Sequence, residues 1–179
     1  MGALTLRLAQ DADMETLRAL MNASIAQLQT SFLTPEQVKA SFQIMGLDSQ
    51  LIADRTYFVV EDGGQVAGCG GWSRRATLFG GDHSAGRDAA LLDPACEPAR
   101  VRAMYTHPAF TRRGVGRMIL DACEAAAAAE GFSACELAAT LAGEPRYRAC
   151  GYGVIEPFTA RADGIDVPLI RMGKPLRRL

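Results

Sequence analysis

The sequence predicts one mixed α/β domain spanning residues 1–179. A chain of 179 residues fits a single domain of ordinary size, and 49% hydrophobic with 22% charged residues is typical of globular proteins. Segments whose apolar residues alternate, as in strands, are interspersed with segments whose apolar residues recur at helical spacing. This interleaving indicates an α/β architecture, in which helices cover a sheet.

The chain begins with a strand followed by two helices. The alternation of apolar residues over 4–8 predicts a half-buried strand. Asp11 is the predicted N-cap of the first helix. The apolar residues of that helix are Met14, Leu17, Leu20, Met21, Ile25 and Leu28. Thr34 before Pro35 predicts the start of a second helix, which ends near Gly46. Its apolar stripe consists of Val38, Phe42 and Met45.

A hairpin and a long irregular segment follow. The strands predicted over 57–61 and 66–72 flank an Asp-Gly turn, which between β-branched runs is a strong hairpin signal. Three glycines interrupt the second strand, Gly68, Gly70 and Gly71, and indicate a bulge, a close approach of backbone or ligand, or a bent edge strand. Residues 73–99 show no regular period, and a loop of this length is typically functional or mobile.

The second half of the chain alternates more regularly. The predicted strands cover 101–106, 134–139, 153–156 and 165–172. The predicted helices cover 115–130 and 144–149, and the alanine-rich run in the longer helix favours close packing on a sheet.

The charge is balanced over the whole chain but not along it. The formal net charge of −1 excludes the simplest electrostatic case for a general nucleic-acid binder. Residues 1–99 carry 7 basic and 12 acidic side chains, whereas residues 100–179 carry 12 basic and 8 acidic ones. The imbalance is either scatter among surface charges or a sign that the second half holds an anionic ligand.

Cysteine and histidine usage argues against a metal site. Five cysteines without a C-x-x-C pair give neither a disulfide framework nor a thiolate zinc site, and two histidines form no H-E-x-x-H motif. The chain contains no leader-like start and no apolar run of the ~18 residues that a membrane helix needs. We therefore expect a cytoplasmic protein that uses no metal and binds neither membranes nor nucleic acid.

A turn rich in arginine and glycine joins the strand at 101–106 to the helix at 115–130. It reads Thr111-Arg112-Arg113-Gly114-Val115-Gly116-Arg117. A helix start offers about four unpartnered N–H groups and roughly half a positive charge, which together bind phosphate oxygens. The two glycines let an anion approach, and the three arginines either add charge or remain solvated. The turn matches neither the P-loop nor the Rossmann pattern.

The residues around this turn resemble the GCN5-related N-acetyltransferase (GNAT) superfamily. The resemblance covers residues 100–156 and includes Met104-Tyr105-Thr106-x-Pro108, the turn, the alanine-rich helix and Tyr147-Arg148-Ala149-Cys150-Gly151-Tyr152. It implies a central, mixed and mostly antiparallel sheet flanked by helices, whose central strands splay near 101–106 and 134–139 to admit acetyl-CoA. The acetyl-CoA core would span about 100–156 and the acceptor side about 11–99.

The resemblance also implies roles for individual residues. Those expected to hold the pantetheine arm and thioester are Met104, Tyr105 and Thr106, and those expected to wrap the pyrophosphate are Arg112, Arg113, Gly114, Val115, Gly116 and Arg117. Tyr147 matches the tyrosine that protonates the departing CoA thiolate. Thr111 stands where the family's loop begins with Gln or Arg, so one side-chain contact differs.

Two carboxylates are candidates for the general base. The stretch from Glu136 to Leu141 resembles that of ribosomal-protein alanine acetyltransferases, in which the Glu is the base, although Leu141 replaces their Asn. Glu61 on the first hairpin strand is the second candidate. For each of them, an exposed carboxylate without a role is the alternative.

The expected reaction is transfer of an acetyl group from acetyl-CoA to a primary amine by direct attack in a ternary complex. The acceptor is a small molecule or a peptide, and a homodimer is an open alternative to a monomer. Acidic residues in the irregular segment would attract a cationic amine, although arginines there leave only a slight excess: Asp82, Asp88, Asp93 and Glu97. The alternatives are a non-catalytic CoA-binding or sensing module and another kind of nucleotide-binding domain.

Overall fold

One seven-stranded sheet organises the protein, which the computed structural model describes over residues 2–176. The strands are β1 (Leu4–Leu8), β2 (Tyr57–Asp62), β3 (Gln65–Ser73), β4 (Ala99–Thr106), β5 (Ala134–Thr140), β6 (Gly153–Ala162) and β7 (Ile165–Pro175). The helices are α1 (Met14–Leu28), α2 (Pro35–Ile44), α3 (Ser49–Ala53), α4 (Val115–Ala129) and α5 (Glu144–Ala149). Short 3-10 turns occupy Asp11–Asp13 and Pro108–Phe110.

The sheet is mixed and mostly antiparallel. Its strand order is β1-β2-β3-β4-β5-β7-β6, and of its six neighbouring pairs only β4 and β5 run parallel. These two strands pair over two residues and then separate. The predicted fold class, a mixed α/β domain with splayed central strands, is confirmed.

Helices cover both faces of the sheet. On one face, α4 buries Val115, Ile119 and Cys123 in the largest apolar cluster, together with Trp72 of β3. Leu17 and Met21 of α1 bury against β2 and β3 in a second cluster. A third cluster joins α2 to β6 and β7. Residues at the centre of the sheet are therefore buried from both sides and have little freedom to move.

The glycines of β3 let neighbouring backbone and side chains come close. A Cβ atom at Gly68 would collide with the side chain of Val115, and one at Gly70 with that of Met104. The register of β3 against β4 shifts between Cys69 and Gly71, as a β-bulge requires. The predicted close approach is therefore present, and the bulge at Gly70 has its extra residue in the neighbouring strand β4. The alternative of a bent edge strand is wrong, because β3 lies between β2 and β4.

The start of α1 differs from the sequence prediction. Asp11 is not its N-cap, because residues 11–13 form a 3-10 turn and the α-helix begins at Met14. The carboxylate of Asp13 accepts the backbone N–H of Gln10 at 2.7 Å and pairs with Arg7 at 2.8 Å. Asp13 therefore satisfies the backbone where the chain turns into the helix.

The strand β6 is longer than predicted, and α3 was not predicted. The prediction ended β6 at residue 156, before Pro157, but the strand continues to Ala162 with Pro157 paired to Ile170. A proline is tolerated there because β6 is the edge strand and its outer side needs no donor. In α2 the buried residues are Ala40, Ser41 and Ile44, and the predicted stripe is only half-buried.

Replacing Gly71 with alanine should destabilise the protein. A methyl group at Gly71 would lie 2.9 Å from the Cα atom of Tyr57 and closer still to the carbonyl oxygen of Thr56, so backbone would have to move. We expect a loss of about 1–3 kcal/mol in the free energy of unfolding, measured by urea denaturation. Gly153→Ala is the control, because its methyl group meets open space and should change stability by less than about 0.5 kcal/mol. Equal losses in both variants would contradict the close-approach explanation.

Candidate functional site

The separation of β4 from β5 opens a cavity in the middle of the sheet. The strands pair only at Ala99 with Cys135 and Arg100 with Glu136. Beyond these pairs a cavity of about 280 Å³ lies between β4 and β5, and it extends to the carboxyl ends of α1 and α2. The edge of β4 facing the gap has no strand partner there, so its backbone N–H and C=O groups are available to a ligand.

An ion network fixes the point where the strands part. The carboxylate of Glu136 binds Arg100 at 2.7 Å and Arg171 at 2.6 Å. Glu136 lies at the closed end of the gap and is absent from the cavity lining. Its role as a base stays a prediction.

A bulge in β4 shapes one wall of the cavity. Ala103 and Met104 lie opposite the single residue Gly70, and Ala103 has a left-handed φ of 50°. The Tyr57 hydroxyl donates to the Ala103 carbonyl at 2.7 Å, which holds the bulge in place. The predicted pantetheine-binding residues, Met104, Tyr105 and Thr106, all line the cavity.

The predicted phosphate loop ends in a helix start without side-chain caps. Gly114 precedes α4 with φ 83°, and a Cβ atom there would meet nothing within 4 Å. The first N–H groups of α4 have no intrahelical partner, but none of the predicted phosphate-binding residues 112–117 lines the cavity. The Thr111 hydroxyl donates to the Pro108 carbonyl at 3.3 Å. Thr111 therefore does not supply the side-chain contact expected of the family's Gln or Arg at this position.

The three arginines of this loop differ in their contacts. Arg113 pairs with Asp62 at 2.7 Å and lies 5.2 Å above the ring of Phe110, which ties the loop to the β2–β3 turn. Arg117 donates to the carbonyl of Ala149 at 3.3 Å. Arg112 is exposed. The structure therefore leaves Arg112 as the loop arginine with the freest approach to an anion.

Arg146 of α5 is a candidate that the sequence prediction missed. It lines the cavity, and its Nη1 atom would lie 2.9 Å from a Cβ atom placed on Gly116 in the first turn of α4. Within residues 2–176 no carboxylate pairs with Arg146. A cation beside the positive end of a helix dipole is unfavourable unless an anion neutralises both. Arg146 follows Pro145 in a six-residue helix, where sequence alone cannot distinguish it from a solvated arginine.

Tyr147 presents a protonated hydroxyl to the cavity. Its side chain is 7% exposed, lines the cavity and packs edge-on against Tyr152 with ring centroids 5.9 Å apart. Burial raises the pKa of Tyr147 to about 12, although the neighbouring charge of Arg146 lowers it. Glu61 lies elsewhere, because its carboxylate pairs with Arg7 at 2.7 Å and it does not line the cavity.

The irregular segment between β3 and β4 is anchored by buried charges. Asp48, 2% exposed, binds Arg87 at 2.5 Å and Arg102 at 2.9 Å. Arg102, 3% exposed, also donates to the carbonyls of Gly80 and Thr77. Burial lowers the pKa of Arg102, and the Asp48 carboxylate opposes that effect. The segment thereby forms a fixed cavity wall at residues 78–80.

The acidic residues of that segment are not at the cavity. None of those that the sequence suggested for attracting a cationic amine lines it: Asp82, Asp88, Asp93 and Glu97. Asp82 instead accepts from the hydroxyl of Ser49 at 3.0 Å. Among residues 2–176, no three His, Cys, Asp or Glu side chains group as metal ligands. Nor does any helix in this range have the length and apolarity needed to cross a membrane.

Comparison with known proteins identifies the family. A model of the acetyltransferase (GNAT) domain matches residues 53–154, more than half of the chain. The chain belongs to this GNAT family. The resemblance noted from the β4–α4–α5 motifs is thereby confirmed, while no curated protein gives a significant match.

Solved GNAT structures share the whole fold. A GCN5-related N-acetyltransferase from Rhodopseudomonas palustris is 22% identical with a TM-score of 0.73, covering 98% of each chain. A Thermoplasma acidophilum N-acetyltransferase in complex with coenzyme A is 14% identical with a TM-score of 0.65, covering 97% of this chain and 99% of that one. A Salmonella typhimurium acetyltransferase solved with acetyl-CoA is 17% identical with a TM-score of 0.65, covering 99% and 96%. At these identities the likeness establishes the fold.

The tyrosines provide a test of how tightly the GNAT site is packed. Burial raises the pKa of all four: Tyr57, Tyr105, Tyr147 and Tyr152. In the unfolded chain they ionise near pH 10, so the folded state loses stability as the pH rises above about 10. We expect tyrosinate absorption in the near ultraviolet to appear above pH 11, together with loss of the near-ultraviolet circular dichroism signal. A tyrosine that ionises near pH 10 while that signal persists would contradict the packing described.

Proposed function

We propose that this GNAT protein is an acetyl-CoA-dependent N-acetyltransferase that acts in a ternary complex. The observation that carries the proposal is the gap between β4 and β5, whose cavity is lined by Tyr147 and by Arg146, the residue that packs on Gly116 in the first turn of α4. In this proposal the thioester and the amine occupy the cavity, and the phosphates lie outside it against the start of α4. The structural neighbours solved with coenzyme A or acetyl-CoA support this assignment through their shared fold.

The binding residues fit the chemistry of the CoA moiety. In this proposal, Met104, Tyr105 and Thr106 hold the pantetheine arm through the unpaired backbone edge of β4. The pyrophosphate lies against the N–H groups of α4 in the segment from Gly114 to Arg117, where negative charge complements the helix dipole. Arg112 and Arg146 supply positive charge from two sides. Arg113 acts indirectly, since its contact with Asp62 positions the loop.

The reaction needs few groups beyond these. The amine nitrogen attacks the thioester carbonyl carbon, a C–N bond forms, and the C–S bond breaks. Backbone N–H groups at the bulge stabilise the oxyanion that forms on the way, a contribution typically worth about 10²–10³ in rate. The thiolate takes a proton from the Tyr147 hydroxyl. The amine nitrogen releases its proton to solvent, and the resulting tyrosinate takes a proton back from solvent. Holding both reactants in one cavity supplies much of the remaining acceleration.

Tyr147→Phe should lower kcat about 10²–10³-fold while leaving acetyl-CoA affinity unchanged, because only the proton donor is removed. Release of CoA thiol with an amine acceptor measures kcat, and calorimetry measures affinity. Tyr152→Phe is the matched control, since Tyr152 packs against the same ring but does not line the cavity. Unchanged turnover in Tyr147→Phe would show that Tyr147 is not the acid.

A non-catalytic CoA-binding module is the second candidate. It is favoured by one observation: neither candidate base, Glu136 nor Glu61, lines the cavity. The module should bind acetyl-CoA with no thiol release from any amine in a panel of alkylamines, arylamines, polyamines and peptides. Turnover of any of these amines would exclude it.

Arg146→Ala should weaken acetyl-CoA binding about tenfold, which corresponds to about 1.4 kcal/mol for one charge-assisted phosphate contact. Arg148→Ala is the control, because Arg148 is exposed on the same short helix and pairs with Glu144 at 2.7 Å. Calorimetric titration with acetyl-CoA at moderate salt measures both. Equal affinities for the two variants would remove Arg146 from the phosphate site.

A further inference from the structure

One wall of the cavity is apolar. It is formed by the carboxyl ends of α1 and α2, the segment at 78–80 and β7. Its apolar side chains are Ile25, Leu28, Phe32, Ile44, Phe79 and Leu169. Phe32 and Phe79 are 50% and 37% exposed, so aromatic rings border the cavity where it opens to solvent. Such a surface gains free energy by removing an apolar ligand from water.

The same wall offers no negative charge. Among the cavity-lining residues none is Asp, Glu or His, and the two charged ones are Arg102 and Arg146. The charge of Arg102 is balanced by Asp48, which is itself not part of the lining. The remaining titratable groups, the hydroxyls of Tyr105 and Tyr147, are neutral at pH 7, as tyrosines ordinarily are, and burial raises the pKa of each further. A protonated amine would therefore lose hydration here without gaining a counter-charge.

Two uncharged polar side chains interrupt the apolar wall. Ser24 and Gln29 lie on or next to the last turns of α1, line the cavity and are 8% and 6% exposed. A hydroxyl and a carboxamide can hydrogen-bond an uncharged amino group and orient it. An apolar pocket with a few convergent polar groups is typical of sites for small uncharged molecules.

We infer that the acceptor is an apolar, weakly basic amine, of which an aromatic amine is the simplest class. The inference rests on the proposed N-acetyltransferase function and specifies its substrate. Because such an amine is already unprotonated at pH 7, its nitrogen attacks the thioester without prior deprotonation. The C–N bond forms to give the oxyanion, and the C–S bond then breaks. Tyr147 protonates the thiolate, the nitrogen releases its proton to solvent, and the tyrosinate is reprotonated from solvent. This chemistry accounts for a cavity without a carboxylate base.

Two isomeric amines separate basicity from shape. 4-Butylaniline and 4-phenylbutylamine have the same composition and the same apolar groups, but only the second is protonated at pH 7. With acetyl-CoA, we expect kcat/KM for 4-butylaniline to exceed that for 4-phenylbutylamine at least tenfold at pH 7. From pH 7 to 9 the alkylamine value should rise about tenfold per unit as the amine deprotonates, whereas the arylamine value should stay constant. Spermidine should give no thiol release.

Variants of α1 test the charge of the wall directly. Leu28→Glu places a carboxylate in the cavity lining and should shift the ratio of the two kcat/KM values at least fivefold towards 4-phenylbutylamine. Leu28→Gln controls for size, and Gln27→Glu adds the same charge on the neighbouring exposed residue. Neither control should change the ratio.

The outcomes distinguish this inference from the proposed function. Preference for 4-phenylbutylamine or spermidine at pH 7 would overturn the acceptor class and leave the N-acetyltransferase function standing. Thiol release from no amine, with acetyl-CoA binding intact, would overturn both. An equal shift in Leu28→Glu and Gln27→Glu would show that overall charge, and not the cavity wall, sets the preference.

Discussion

The brief pairing of β4 with β5 is the constraint on which the rest of the site depends. Two residue pairs hold these parallel strands together before they diverge. Glu136, bound by Arg100 and Arg171, fixes the place of divergence at the closed end of the gap. Since α4 follows β4 and α5 follows β5, Tyr147 lines this cavity and Arg146 extends from it to Gly116 in the first turn of α4. The position of the site is therefore set by the topology of the sheet, and the individual side chains act within that frame.

The uneven distribution of charge along the sequence has a partly structural explanation. Acidic residues of the first half pair with arginines of the second, as Asp48 does with Arg102 and Asp62 with Arg113. The first contact joins the start of α3 to β4, and the second joins the end of β2 to the turn before α4. Arg112, Arg117 and Arg146 have no carboxylate partner within residues 2–176, and under the proposed function they are available to the anionic ligand. The charge imbalance between the two halves of the sequence is therefore neither random scatter nor explained by ligand binding alone.

Sequence reasoning predicted most of the fold because strands and helices with clear periods bury one face each, and because the β4–α4–α5 motifs are specific. It failed where the determinant is spatial. The extension of β6 past Pro157 depends on its edge position, which no local pattern reveals. The five residues of α3 are too few to show a period. Arg146 becomes informative only when α5 packs beside Gly116, thirty positions earlier in the chain.

The anchoring of the segment between β3 and β4 also bears on how such a protein diversifies. Arg75 binds Asp54 and Arg87 binds Asp48, so both attachments end within residues 48–54, while the cavity wall at 78–80 lies between the two arginines. Substitutions of Leu78 and Phe79 leave these attachments intact, whereas Gly80 has a left-handed φ of 106° and its carbonyl accepts from Arg102. Under the proposed function, a lineage of such proteins could therefore change its acceptor by mutation at 78 and 79 while keeping the same attachments of this segment.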